Sequence, residues 1–200
     1  MKKICIFGSG GFAKEVYALA LDCKYIVDAF IDVKENSDIL GLPVKTVEYY
    51  DTYKHYGVLG IGSPKIREKI VRENPNVEWI SLIHPNAVIS SLNIQIGKGA
   101  VICANSIITA DIKIGDFVQL NLATTIGHDC IIGDYFTTAP GVHISGNCLI
   151  GDRVYFGTGS SSKERINITS DSTIGAGACV LKSIIEPGVY VGIPATKIIK

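Results

Sequence analysis

From Ile96 a bulky apolar residue returns at every sixth position: Ile96, Ile102, Ile108, Ile114, Leu120, Ile126, Ile132, Ile144, Ile150, Phe156, Ile168, Ile174 and Val180, with only Thr138 and Ser162 interrupting the series. An α-helix returns a side chain to one face about every 3.6 residues and a strand every second one, so a sustained six suits neither. It suits short strands joined by equivalent turns, three strands to a coil of about 18 residues, with the coils stacked at roughly the 4.8 Å spacing of paired strands. The pattern predicts a parallel β-helix of triangular section, with the aliphatic residue at each corner pointing inward. Burying it contributes roughly 1.5–3 kcal/mol. Glycine often follows it, at Gly97, Gly115, Gly127, Gly133, Gly151, Gly157 and Gly175, and is expected to supply turn dihedrals that a β-carbon would strain. A small residue often stands two places before it, as at Thr124, Cys130, Cys148 and Ser160. Residues 96–185 make about five coils, and Ile83 and Ile89 add an imperfect start. The segment "GTGSSSKERIN" (157–167) is the least regular and is expected to form a solvated bulge, with phosphate contact by Lys163 and Arg165 as the alternative.

The first 80 residues follow another pattern. "KICIFG" reads as a buried strand, "GSGG" as a tight turn, "FAKEVYALALD" as a helix and "IVDAFID" as a second strand ending at Asp32. Gly8-x-Gly10-x-x-Ala13 with an acid about twenty residues on is the arrangement of a dinucleotide-binding βαβ unit. "YGVLGIGSPKIREKI" adds one strand, a Gly60-x-Gly62 turn and a helix, before "NPNVEWISLIHPNA" crosses to the repeat. That leaves no room for a complete dinucleotide domain, so a nicotinamide oxidoreductase is disfavoured. A glycine turn at a helix amino terminus still suits a phosphate, and a purely structural turn accounts for the same residues. The chain is therefore divided into a small Rossmann-like α/β region, 1–80, and a parallel β-helix, 81–200.

Nineteen Lys and Arg residues balance 19 Asp and Glu, evenly in both regions, which leaves no basic footprint for nucleic acid or an anionic membrane. Glycines and the charged Lys14-Glu15 interrupt the signal-like start "MKKICIFG", and no apolar run is long enough to span a bilayer. The six cysteines lack metal-ligand spacing, so neither a metal site nor a disulfide framework is expected, and the reducing cytoplasm is the expected location. Cys130 and Cys148, one coil apart, fall at the small-residue position and are expected in the core.

One polar pair breaks the regularity. In "TTIGHDCIIGDY", His128 and Asp129 stand on an outward turn, where packing requires no histidine. One coil on, Gly146 stacks over His128 and Asn147 over Asp129. Two readings are open. One is a solvated turn, for which His and Asp are ordinary residues; the other is a general base oriented by a carboxylate, with a glycine amide available to a developing oxyanion.

"IGHDCIIGDY", "PGVHISGNCLIGDRVYFGTGS", "STIGAGACVLKSI" and the terminal "GVYVGIPATKIIK", preceded by "GSGGFAKEVY", resemble the left-handed β-helix acyltransferases, in particular the sugar acetyltransferases typified by PglD and NeuD. The resemblance spans nearly the whole chain. It implies a homotrimer that binds acetyl-CoA in a groove between neighbouring subunits, uses no metal, and transfers the acetyl group directly to a nucleotide-linked amino sugar. His128 matches the family's base, Asp129 the acidic residue after it, and Gly146 the main-chain amide facing the thioester oxygen. By the same resemblance, Gly146, Gly157, Gly159, Ala176, Gly177, Gly192 and Pro194 line the coenzyme, and Gly8, Gly10, Gly11, Phe12, Asp32, Gly62 and Ser63 the nucleotide sugar. Phe12, Ser63 and Thr137 depart from the family pattern, where many relatives carry His, Asn and a second His. An N-acetyltransferase acting on a 4-amino-deoxysugar is the leading expectation; a sialic-acid-type O-acetyltransferase and a non-catalytic nucleotide-sugar-binding scaffold are the alternatives.

Overall fold

The structure, a computed structural model, describes residues 2–198; positions 1 and 199–200 of the two expected regions lie outside it. The first region contains β1 (Lys3–Phe7), α1 (Gly11–Asp22), β2 (Val27–Ile31), β3 (Asn36–Ile39), β4 (Leu42–Lys45), β5 (His55–Leu59) and α2 (Pro64–Glu73). Its sheet has the order β3-β4-β2-β1-β5, parallel except for β3. β1 and β2 are nearly continuous apolar runs because both faces of a parallel sheet are covered. The β3–β4 hairpin, turned at Leu40 and Gly41, is not announced by the sequence pattern, since Asn36, Ser37 and Asp38 are exposed and polar.

Beyond it the chain winds through three parallel sheets that close a left-handed β-helix. Strand partners lie one coil apart throughout, as in Ile108↔Ile126, Ile126↔Ile144 and Ile144↔Ser162. Leu82–Ile83 pairs with Val101–Ile102, Val88–Ile89 with Ile107–Ile108 and Ile94–Ile96 with Ile112–Ile114, so the start is a whole coil that carries one extra residue before Ile94, the imperfection expected there. The expected bulge at 157–167 is absent: Ser161–Ser162 and Asn167–Ile168 keep their ladders to the neighbouring coils. The hydroxyls at inward positions are satisfied locally. Ser162 Oγ accepts the Ser145 N–H at 3.3 Å, and Thr138 Oγ1 accepts the Asn121 N–H at 3.0 Å. Phe136, fully buried two places before Thr138 and edge-on to Phe156 at 5.9 Å, fills the volume that a threonine leaves.

The corners differ from expectation in a way that matters for the site. The aliphatic residues lie in the strands, on the flat faces, and the chain turns three residues later. Every sixth residue from Asn93 to Gly177 has φ between +53° and +69°, so the left-handed position is not the glycine after the aliphatic residue. Those glycines are required by space instead. A Cβ on Gly115 would sit 2.8 Å from the Asp134 amide nitrogen, and one on Gly127 would sit 2.6 Å from the Gly146 nitrogen and 2.8 Å from the Ser145 carbonyl carbon. At one corner the space is used by a ladder in which Asp116, Asp134 and Asp152 each accept the amide N–H one coil below, at 2.8–3.0 Å.

Left-handed backbone costs a β-carbon-bearing residue roughly 1–2 kcal/mol. Phe117 and Tyr135 bear it while stacking on each other at 5.4 Å, and Arg153 while gripping Asp171. Ala123 has φ +56° and is exposed, with no compensating contact. Ala123→Gly is therefore expected to stabilise the fold by about 0.5–1 kcal/mol after the entropy of glycine is counted, raising the thermal midpoint by roughly 1–4 °C in a chain of this size. An unchanged or lower midpoint in a calorimetric scan would count against the strain.

The two regions share packing. Leu82, Val101 and Cys103 of the β-helix belong to the same buried cluster as Ile4, Val58 and Phe30. Trp79 lies edge-on to both Phe7 and Phe117. Among the described residues no helix is long and apolar enough to cross a membrane.

Candidate active site

His128 and Asp129 form the corner between strands Thr125–Ile126 and Ile131–Ile132. Asp129 occupies the left-handed position, φ +58°, and its Oδ2 lies 2.6 Å from His128 Nδ1. An ionised carboxylate can only accept, so the hydrogen sits on Nδ1 and the neutral ring keeps a lone pair on Nε2. The ring is exposed, at 63% of its side-chain surface, and carries no core packing. Asn147 N–H donates to the His128 carbonyl at 2.7 Å, locking the stacked coils at this point. Gly146 faces the ring: a Cβ there would lie 2.7 Å from both Nε2 and Cε1.

The amide of the residue just before each left-handed position of the β-helix takes no part in the backbone ladder. At the aspartate corner, a carboxylate takes that hydrogen. At the histidine corner the equivalent place one coil on is held by exposed Glu164, whose longer side chain does not take it, and among the described residues the Gly146 N–H has no acceptor. The Nε2 edge of the His128 ring and the Gly146 backbone thus lie side by side at this corner.

The remaining residues expected to line the coenzyme lie elsewhere. Gly159 and Gly177, both φ +66°, stack at the next corner of the prism, and a Cβ on either would meet nothing within 4 Å. Exposed Ala176, Gly192 and Pro194 are near them in sequence, while Gly157 is buried beneath Ala176. One flat face, carrying Thr125, His143 and Ser161, separates this corner from His128. Exposed His143 on that face, its Nδ1 2.9 Å from Thr125 Oγ1, was not singled out by the sequence pattern. Its only signal is an outward place beside the inward Ile144.

The residues expected at the nucleotide sugar divide between two cavities. Gly8 and Asp32 line one of about 330 Å³ with Glu48, Ile61 and Glu73. Gly8 has φ +116°, and a Cβ on it would meet Ile61 Cγ1 at 2.6 Å. Ser9 Oγ donates to Asp32. Phe12, Glu15 and Gly62 line a second cavity of about 180 Å³, with Asn121, Thr137 and Tyr155 from the facing β-helix sheet. Gly10 and Gly11 are exposed with open space where a Cβ would stand, and Ser63 begins α2 without a side-chain cap. Among the described residues no cluster of His, Cys, Asp or Glu could hold a metal.

The PglD N-terminal domain model matches residues 3–74. An uncharacterized protein of Acanthamoeba polyphaga mimivirus is 37% identical over 198 residues, covering 96% of this chain, which in turn spans 40% of that longer protein. WeeI from Acinetobacter baumannii AYE is 31% identical, with a TM-score of 0.91 over 99% of this chain and 100% of that one. A variant of perosamine N-acetyltransferase from Caulobacter crescentus, in complex with CoA and GDP-perosamine, superposes with a TM-score of 0.92 at 26% identity, over 100% of this chain and 98% of that one. With a relative above 30% identity matched from end to end, and with the α/β region and the β-helix both present in it, the chain belongs to the PglD/NeuD-like family of hexapeptide-repeat sugar acetyltransferases.

Proposed function

We propose that the protein transfers the acetyl group of acetyl-CoA to the amino group of a nucleotide-linked 4-amino-deoxysugar. The observation that carries this reading is the adjacency of His128 Nε2 and the Gly146 backbone, with Nδ1 held by Asp129 at 2.6 Å. His128 removes a proton from the amine as its nitrogen attacks the thioester carbonyl carbon. Gly146 N–H receives the developing oxyanion, and Asp129 steadies the imidazolium. Collapse breaks the carbon–sulfur bond, and His128 returns the proton to the leaving thiolate. The likeness to a perosamine N-acetyltransferase with CoA and GDP-perosamine bound supports the choice of donor and acceptor.

The open glycine corner suits a coenzyme, because the bare backbone at Gly159 and Gly177 can be approached closely. That corner and His128 flank opposite sides of a face, so a groove using both is best built by two copies of the chain, within a homotrimer. Six free cysteines and an acetyl-CoA donor fit action in the cytoplasm.

The test is release of free thiol from acetyl-CoA in the presence of UDP-, dTDP- and GDP-linked 4-amino-6-deoxysugars, set beside free and CMP-linked sialic acids. Release with one amino-sugar nucleotide is the expected result. Release with sialic acids alone would replace N-acetylation by O-acetylation, and silence across the panel would overturn the acceptor class.

A further inference from the structure

Arg67, on the first turn and a half of α2, is fully buried and has no carboxylate partner among the described residues. Its guanidinium instead donates to Phe117 O (3.2 Å), Ile61 O (3.1 Å), Gly62 O (3.0 Å), Gln119 Oε1 (3.0 Å), Tyr135 O (2.7 Å), Phe136 O (3.2 Å) and Thr137 Oγ1 (2.8 Å). Gln119, oriented by this contact, passes its own Nε2–H to Leu59 O at 2.9 Å, at the end of β5. Burial pulls the Arg67 pKa down to about 9, which leaves it charged at neutral pH.

Burying a cation costs several kcal/mol before its hydrogen bonds offset it, and an apolar residue of similar volume would fasten two domains at less expense. What the guanidinium adds is direction: a planar fork of donors fixes several acceptors relative to one another. Here those acceptors are the Ile61–Gly62 loop of the α/β region on one side and Tyr135, Phe136 and Thr137 of the β-helix on the other. Gly62 and Thr137 also both line the cavity between the two regions, meeting where the Thr137 hydroxyl donates to Gly62 O at 3.4 Å. Thr137, one of the departures from the family pattern, is 3% exposed with its hydroxyl turned to Arg67.

We infer that Arg67 is a positioning residue for the acceptor substrate: it fixes the shape of the inter-domain cavity by holding the Gly62 loop against Thr137, where the two regions meet in its lining. This rests on the acceptor reading given above. It separates Arg67 from the reacting groups, since among the described residues no hydrogen bond joins it to the His128 corner.

The experiment compares wild type with Arg67→Lys, which keeps the charge and loses the fork, and with Thr137→Val, which leaves Arg67 in place and removes one acceptor. The readouts are KM for the amino-sugar nucleotide and for acetyl-CoA, kcat, thermal midpoint, and hydrogen exchange of residues 60–63. In Arg67→Lys the acceptor KM is expected to rise about tenfold or more, with acetyl-CoA KM within about twofold and faster exchange in the loop. Thr137→Val is expected to move the same constants in the same direction, by less, and keeps the inference testable should Arg67→Lys fail to fold. An acceptor KM unchanged in a folded Arg67→Lys, or both substrate constants worsening together in either variant, would make Arg67 a structural rivet only. If wild type acetylates no amino-sugar nucleotide, the acceptor reading falls first and this inference with it.

Discussion

Replacing His128 with alanine is expected to lower kcat for acetyl transfer by roughly 10²- to 10⁴-fold, while the thermal midpoint and the KM for acetyl-CoA stay near their wild-type values. The stability half of that expectation follows from exposure. The ring leaves 63% of its surface in solvent and, among the described residues, is hydrogen-bonded only to Asp129, so its removal opens no cavity. The catalytic half follows from position, because Nε2 faces the Gly146 backbone. Asp129→Asn is the companion. Asparagine tolerates the left-handed backbone at φ +58°, so the fold is kept, but its amide can donate to Nδ1 and favour the wrong tautomer. A smaller fall in kcat is expected, in the same direction. If His128→Ala turns over at the wild-type rate, the base lies elsewhere, and the exposed His143 becomes the group to replace.

How far the sequence discloses this site depends on which spacing carries the information. The six-residue period fixes the β-helix, and one coil of offset is enough to place Gly146 over His128, because both are properties of the pattern itself. The βα units around Gly8 and Gly62 are legible for the same local reason. What escapes is carried by contacts that no period encodes. The left-handed position at each corner is filled by residues as different as Phe117, Ala123, Asp129 and Arg153, so composition gives no mark of it. The glycines after the aliphatic residues are visible, yet their reason is a backbone in the next coil rather than their own dihedrals. Arg67 reads as an ordinary charge on an amphipathic helix. Only the docking of α2 on Phe117, Tyr135 and Phe136 makes it the most enclosed cation among the described residues.

Gly127→Ala tests that distinction at the point where it bears on chemistry. The added methyl would stand 2.6 Å from the Gly146 nitrogen and 3.0 Å from its Cα, both backbone, so relief requires the two coils to part or slide. Overpacking of this kind costs about 1–3 kcal/mol, which lowers the midpoint of a 200-residue chain by roughly 2–12 °C. The atom displaced is the amide that the proposed mechanism aims at the oxyanion. Loss of one such donor costs about 10²–10³ in kcat, and that is the fall expected at 25 °C, where the variant remains folded. Gly97→Ala supplies the control. Its methyl meets the Gly115 backbone at 2.6 Å, and the Asp116 carboxylate more closely still, a comparable clash at a different corner, between one and two coils before His128. The two variants should lose similar stability, and only Gly127→Ala should lose turnover beyond it. Equal kcat in both would mean that the position of the Gly146 amide is not what the reaction depends on, and that its missing acceptor is an accident of the corner.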